Sequence, residues 1–529
     1  MHVTRSAAPA HDNAFERYIK SLDPSQLDML KVSLRKSLSA PNMDEQLLKD
    51  ASAISGMQTG LTITPYSLES PAYNLWPVVT LLRNRIPRRV VGGTGSHYKK
   101  LTAIDTAEDY GFVAENVDTT AGTVTGRAGF LKMSEVDGTA TFKTLGLDNF
   151  LTVQQQFGGK STIDGADFNS EELWTLALLQ AVMMREEKAI LGANATALTA
   201  AAIGTPTKTS ITQAETATGS LSASTNYYVK VSAVTLKGYR QSAHGKNSGG
   251  TDAPGETDGT AEATIATAGS GSAGDTSLTI GWTAVKGAVA YNVFAGATTG
   301  ASVKYNQTVT TNRAVVGANA TATTAATPIL TSGAYLCNAA DQSADTSGYD
   351  GLISLLENAS GGYYKTLDGA ALTGDSKAGC AEIEAAFAYF FTKLISPTTI
   401  YCSAAQRPQI DQIILGSSAP IMRINLNAGD KEIKGGISVG SVLNRYFNTD
   451  VELVTHPYLP AGTMLFTCDQ LGTYYPTAKV PNPIEMLLGW DYMRFDFAQN
   501  SLRKESGVYV NGCPVVRVPF SVGAIHCIA

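Results

Sequence analysis

The sequence predicts an α+β protein interrupted by an all-β insertion, and three observations carry that reading. A capped helix closes on Met183-Met184-Arg185-Glu186-Glu187-Lys188-Ala189-Ile190-Leu191-Gly192. A Thr-, Ala-, Gly- and Ser-rich stretch of strand-like alternation follows, from Thr205 to about Pro328. Only at Tyr349-Asp350-Gly351-Leu352 does a mixture of helices and strands resume, as it would after an inserted domain.

Length and composition narrow the possibilities. A chain of 529 residues has room for about three cores. The charged fraction of 16% is low against the roughly 25% usual for soluble domains, and 43% hydrophobic residues exclude a disordered chain. So little charge on so much surface favours burial against partners. The net charge of −6 argues against wrapping phosphate backbones, which needs clustered Lys and Arg, so nucleic-acid contact should be weak and local. Cys337, Cys380, Cys402, Cys468, Cys513 and Cys527 lack C-x-x-C spacing and read as free, buried thiols. Met1-His2-Val3-Thr4-Arg5 does not open a signal peptide, and the apolar run from Leu173 to Met184 is broken by Thr175 and Gln180. A soluble protein made in a reducing cytoplasm is expected, with no membrane partner.

The elements follow in order. Asp23-Pro24-Ser25-Gln26 supplies an N-cap and a first-turn proline, and Leu27, Leu30, Leu34 and Leu38 then recur at helical spacing with Lys31, Arg35 and Lys36 on other faces. Trp76 to Leu82, Pro87-Arg88-Arg89 and His97 to Leu101 read as short strands around the Gly92-Gly93-Thr94-Gly95 turn. From Asp105 to Lys143 the chain alternates like a hairpin but has too few apolar residues for a core. Leu151 to Phe157 reads as a strand and Asp164-Gly165 as a turn. Asn169-Ser170-Glu171-Glu172 is a capping box; Leu173, Leu176, Ala177 and Met184 mark an apolar face, and Gly192 ends the helix. Inside the insertion Tyr227, Val229, Val231 and Ala233 alternate, as do Leu278, Ile280 and Trp282, and Tyr291 with Val293. Glu382 to Ile395 and Ala404 to Leu415 are helical; Thr399 to Cys402, Val451 to Val454, Gly462 to Phe466 and Pro514 to Phe520 are strands.

This layout resembles the major capsid protein of a tailed bacteriophage. The polar hairpin looks like that family's extended loop, the helix ending at Gly192 like its long spine helix, and the segments after Tyr349 like its axial domain, the likeness running unbroken from about Leu101 to Gly192. Asn226 to Val234 and Trp282 to Tyr291 look like strands of fibronectin type III and related immunoglobulin-like modules, in an order that departs from a fibronectin module. The resemblance implies an N-terminal helical arm over 1–60, a peripheral domain over 61–204 with the extended loop near 105–143 and the spine helix near 170–191, an immunoglobulin-like sandwich over 205–328, an axial domain over 329–465, and a return to the peripheral domain over 466–529. It further implies an icosahedral shell of hexamers and pentamers, with scaffolding, portal and decoration proteins and packaged double-stranded DNA as partners. The closing strands would return beside the spine helix, and the insert would sit on the outer face as a self-contained, dispensable module.

Motifs that could mean chemistry fail on context. Gly269 to Gly274 spells G-x-G-x-x-G but precedes a strand, not a helix. Gly436-Ile437-Ser438-Val439-Gly440 spells a nucleophile elbow, with Asp450 and His456 after it, yet without the intervening sheet or an oxyanion loop. His2, His11, His97, His244, His456 and His526 show no zinc spacing, and Asp252, Glu256 and Asp258 lack that of a calcium loop. Lys132 and Lys143 are noted because some capsid proteins join subunits by lysine–asparagine bonds through this loop; no partner asparagine is identified here. No catalytic, metal or cofactor residue is expected. A bacterial nanocompartment shell of the same fold is the nearest rival, an adhesin acting through the immunoglobulin-like part is a second, and an enzyme is a third.

Overall fold

The computed structural model describes residues 77–105, 132–152, 170–198, 200–213, 221, 225–241, 252–267, 275–300, 303–316, 335–358, 362–375, 379–416, 439–471, 475, 482–498 and 502–529. The helix expected after Asp23, the outer part of the loop from 106 to 131 and the segment from 153 to 169 lie outside these residues. Two units are distinguished: Met1–Pro77 with Phe150–Ala177 and Ala498–Glu505, and Val78–Asn149 with Leu178–Phe497 and Ser506–Ala529. In the first, Phe150 carries the Arg503 guanidinium at 5.3 Å from its ring centre. Apart from Phe150–Thr152, Ser170–Ala177 and Arg503–Glu505, which belong to the first unit, the elements below lie in the second, larger one.

Its chain opens with helix α1 (Leu81–Arg85) and strand β1 (Arg88–Val90). Reading Trp76 to Leu82 as strand is corrected: an acceptor from a distant helix satisfies the first amides of α1, which a local pattern cannot show. Strands β2 (Gly95–Asp105) and β3 (Lys132–Thr141) form a two-stranded antiparallel ribbon, and β4 (Lys143–Thr152) follows. The long helix α2 (Ser170–Gly192) comes next. Its buried residues are Leu178, Val182, Ile190 and Leu191, together with Glu186 and Glu187. The stripe drawn through Leu176 and Met184 is therefore corrected, since Leu176 is exposed; two satisfied glutamates replace apolar residues on the inner face. Gly192 is needed for space and not for a left-handed cap, because a Cβ there would come within 2.7 Å of Leu236.

The insertion contributes β5 (Thr207–Gln213), β6 (Asn226–Val234), the short α3 (Leu236–Gln241), β7 (Ala263–Ala266), β8 (Asp275–Gly281), β9 (Ala290–Gly296), β10 (Lys304–Val309) and β11 (Arg313–Val316). They form two antiparallel sheets, ordered β10-β9-β6-β7 and β11-β8-β5. Tyr227, Val229, Val231 and Val293 of one sheet share a core with Leu278, Ile280, Ala314 and Val316 of the other. Trp282 meets Tyr291 edge to face at 5.4 Å, and the Tyr291 hydroxyl accepts the Val285 N–H at 2.7 Å.

Both ends of the insertion leave and return at one place. Gly351 N donates to Ala193 O, and Asp345 N donates to Asn194 O, each at 2.8 Å. Asp350 accepts the Ala195 and Thr196 N–H groups. Gly351 permits the approach, since a Cβ would lie 2.5 Å from Ala189 O. The expectation of a self-contained module is corrected: Leu236 and Val289 belong to the core around α2, and Cys527 enters the core between the two insert sheets. The outward face of the β6-containing sheet is covered as well, because the segments near Ala253 and Asn338 are stitched together by the Asn338 amide.

Beyond Tyr349 come α4 (Leu352–Asn358), β12 (Tyr363–Thr366), α5 (Ala381–Thr392), β13 (Thr399–Cys402), α6 (Gln406–Gly416), β14 (Ser441–Asn444), β15 (Thr449–Thr455) and β16 (Met464–Thr467). The long hairpin β17 (Ile484–Asp496) and β18 (Arg503–Val516) and the final β19 (Val522–His526) complete the fold. Six strands assemble in the order β12-β19-β16-β13-β15-β14. β13 is wholly buried because both its faces are covered: Ile400 and Cys402 pack with Phe387 and Phe390 of α5, and Tyr401 joins the α2 core. The turn into α6 is fixed by Ser403, whose Oγ accepts the Ala405 and Gln406 N–H groups.

The other mixed sheet is β1-β17-β18-β4, with Met486, Leu488, Val508 and Val510 in the α2 core. Two closing segments differ from expectation. The segment from Gly462 to Phe466 supplies β16 of the six-stranded sheet, and that from Pro514 to Phe520 is not one strand but the end of β18 followed by a 3-10 turn at Pro519–Ser521; Leu465 and Val516 both lie in the α2 core. Pairing partners far apart in sequence decide this, and no periodicity encodes them.

Candidate functional site: a buried carboxylate hub

Glu186 and Glu187 stand side by side on α2 with no solvent exposure. Burying two carboxylates is costly unless each is paired and hydrogen-bonded. Glu187 accepts the N–H groups of Leu82 at 2.7 Å and Arg83 at 2.6 Å, so it caps α1 from 105 residues away. Thr80, the local N-cap, makes no side-chain cap bond. A third donor reaches Glu187 from His456, whose Nε2 lies 2.8 Å from Oε1. The tautomer follows from the other ring nitrogen: Nδ1 accepts the Tyr458 N–H at 3.2 Å, which leaves the proton on Nε2.

Glu186 is held by cations. Arg83 Nε donates to it at 2.9 Å and Arg88 Nη1 at 2.6 Å, and the Tyr492 hydroxyl donates as well. Both guanidinium centres lie 5.2 Å from the Tyr492 ring centre. Burial, the Glu186 charge and the bond to it push the Tyr492 phenol above its ordinary range. Burial works against the charged form of Arg88, and the Glu186 carboxylate outweighs it, leaving its pKa raised. The hub thus ties α1, β1, the last two turns of α2, the turn after β15 and β17 into one piece. Sequence reasoning placed Glu186 and Glu187 only as part of a helix end; two adjacent glutamates followed by an apolar pair were the available signal.

The other singled-out residues are scattered and structurally engaged. Asp450 pairs with Leu443 in the β14–β15 ladder, while Ser438 lies outside the described residues, as do His2, His11, His244 and Gly269 to Gly274. His97 is exposed; His526 is buried, which lowers its pKa to about 4, and lies 3.3 Å from Thr463. Among the described residues no group of three metal-ligating side chains is found. Asp252 accepts the Ala339 and Ala340 N–H groups, and Glu256 is buried with a hydrogen bond from Ser232, so neither projects into a calcium loop. Lys143 donates to Thr346 O at 2.9 Å, and Lys132 pairs with Asp105 at the far end of the described ribbon. The six thiols are unpaired, and burial raises the pKa of Cys380, Cys468, Cys513 and Cys527 to about 12. No helix among the described residues is long and apolar enough to cross a membrane.

No family model matches the chain, and no curated protein does. Solved structures resemble it over most of its length. The capsid asymmetric unit of cyanophage A-1(L) covers 88% of this chain and 97% of its own, at 7% identity and a TM-score of 0.42. The capsid of an empty GTA particle covers 90% and 98%, at 7% identity and 0.38. A chain of Mycobacterium phage Bobi covers 90% and 97%, at 9% identity and 0.38.

Proposed function

We propose that this chain is the major capsid protein of a tailed phage: a structural, non-enzymatic subunit that assembles with its own copies into an icosahedral shell around double-stranded DNA. The β2–β3 ribbon carries the reading. Its ladder runs from Gly95–Thr141 to Asp105–Lys132 with no third strand among the described residues. An isolated two-stranded ribbon is marginal in water, so one this long requires a surface outside itself, and a neighbouring subunit supplies it. Apolar residues exposed at separate places support several neighbours per subunit: Val90 and Val91 at the end of the edge strand β1, Met493 and Phe495 on β17 with Phe497 just past it, and Phe391, Leu394 and Tyr446 by the β14–β15 turn. The buried hub supports rigidity, since its carboxylates are engaged by the chain's own donors and none is presented to a substrate.

The insertion is read as an immunoglobulin-like sandwich in rearranged order. With β8 and β9 as strands B and C, β6 and β7 take the places of F and G, and the sheets become A-B-E and C-F-G with one added strand. The F–G pair precedes B–C in this chain, which accounts for the order noted in the sequence. Hexamers and pentamers, with scaffolding, portal and decoration proteins as partners, assembly in the host cytoplasm and residence in the virion belong to the same proposal. Negative-stain microscopy of the purified chain tests it. Closed icosahedral shells are expected, with nuclease-protected DNA in particles taken from infected cells; a monodisperse monomer in sedimentation, or shells filled with protein cargo, would overturn it.

A further inference from the structure

Two cations lie over one tyrosine ring at the surface of the larger unit, and a third stands close enough for its charge to be felt by one of them. Arg185 and Lys188 stand one turn apart on α2, and Arg240 lies in the last turn of α3. Lys188 Nζ is 4.8 Å and Arg240 Cζ 4.5 Å from the centre of the Tyr458 ring. All three cations are exposed, and Tyr458 is half-buried. Neighbouring cations have carboxylate partners: Lys237 holds Asp345 at 2.7 Å, Arg85 holds Glu452 at 2.5 Å, and Arg88 bridges Glu186 and Asp491. Arg185, Lys188 and Arg240 have none among the described residues; Arg185 donates instead to the Gly146 carbonyl at 3.0 Å.

On a chain of net charge −6, this is a local concentration of positive charge with no carboxylate partner among the described residues. Partial burial first, and then the charges of Arg240 and Arg185, lower the Lys188 pKa. The aromatic face holds both side-chain heads in place before any ligand arrives. An anion entering here removes the repulsion and finds its donors already ordered.

We propose that Arg185, Lys188 and Arg240 form a phosphate-binding site on the Tyr458 platform, which takes backbone phosphates of a nucleic acid. Two guanidinium forks and an ammonium match the oxygens of phosphate. Carriage on two helices and a turn tied to the hub suits a stiff, regularly charged polymer better than a pliable acidic peptide. The proposed shell role enters only as the reason DNA is at hand.

The test uses the full-length chain, a labelled DNA duplex of about 30 base pairs, and salt between about 50 and 200 mM. The triple variant Arg185→Gln/Lys188→Gln/Arg240→Gln should bind at least about tenfold more weakly at low salt, and its slope of log K against log salt should flatten by about 2–3, at about 0.9 per phosphate contact. A control of equal net charge, Lys304→Gln/Arg313→Gln/Arg494→Gln, should keep the wild-type slope. Pyrophosphate should displace the duplex from the wild type. Equal slopes in the two variants would overturn the site. Loss of pyrophosphate binding with unchanged DNA binding would make it a site for free phosphate compounds and overturn the nucleic-acid assignment, and displacement by polyglutamate but not by pyrophosphate would assign it to an acidic peptide. Particle formation, followed by sedimentation of the same proteins, should be unaffected; its failure in the wild type would count against the shell role and leave the phosphate site standing.

Discussion

The Glu187 carboxylate and the His456 imidazole meet at 2.8 Å, with neither side chain exposed. The same carboxylate accepts the first amides of α1, so a change at one atom is felt in three elements. Glu187→Gln would place an NH2 group against a backbone or ring N–H. A loss of roughly 3–5 kcal/mol is expected, the cost typical of breaking a buried pair. Urea unfolding of the unassembled subunit measures it, and a loss under about 1 kcal/mol would mean that α1 is capped by other means.

Glu256 gives a pH dependence with a definite sign. Burial raises its pKa against the opposing bond from Ser232, so folding prefers the neutral acid. The associated stability is complete below the unfolded carboxylate pKa and is lost as pH rises through the folded value. Glu256→Gln should therefore raise the melting temperature at pH 7 and lose that advantage near pH 4. A variant that melts lower at pH 7 would show the ionised form to be the stabilising one.

The insertion should prove hard to remove. Replacing Thr205 to Pro328 with a Gly/Ser linker deletes Leu236 and Val289 from the α2 core and leaves Ile190 and Leu191 under-packed. The excised chain should melt lower than the wild type and bind a hydrophobic dye. An unchanged melting temperature would restore the picture of a detachable module.

Within the insertion, Trp282→Ala removes the partner of the Tyr291 ring and should cost roughly 3–5 kcal/mol. Because the cores interlock, calorimetry should show one shifted transition. A separate early transition for the insertion alone would argue that its sheets fold independently.

Deleting the ribbon from Gly95 to Thr141 should remove little of the main core, since among its described side chains Ala140 and Tyr98 pack in a small separate cluster with Phe142, Leu487 and Val515. The remaining chain should stay folded by circular dichroism and fail to close into shells. Normal particles from this deletion would refute the need for a neighbour's surface. Since Lys143 is bonded to the Thr346 carbonyl, boiled wild-type particles should run as single chains on a denaturing gel; a ladder would reveal cross-links.

Much of the local structure was legible in the sequence. The start of α2 near Ser170, the helices after Glu382 and Ala404, the strand Thr399–Cys402 and the alternating strands around Tyr227 and Leu278 all follow from caps and periodicity, because each is decided by residues within one or two turns. The hub was not legible. A glutamate pair on a helix reads as a solvated face unless its donors are known, and those donors come from α1, β1, the turn after β15 and β17, which are remote in the chain.

By itself the sequence determined the α+β class, the presence of a strand-rich interruption and the place where the chain resumes, since composition and period change there whatever the packing; that the interruption also holds the short helix α3 was not foreseen. Only the tertiary structure decided which strands become neighbours, that the insertion shares its core with α2, and that Tyr458 gathers two cations. Those outcomes depend on contacts between segments hundreds of residues apart. Such contacts form where burial and hydrogen-bond satisfaction are jointly best, and a local pattern constrains only one partner of each.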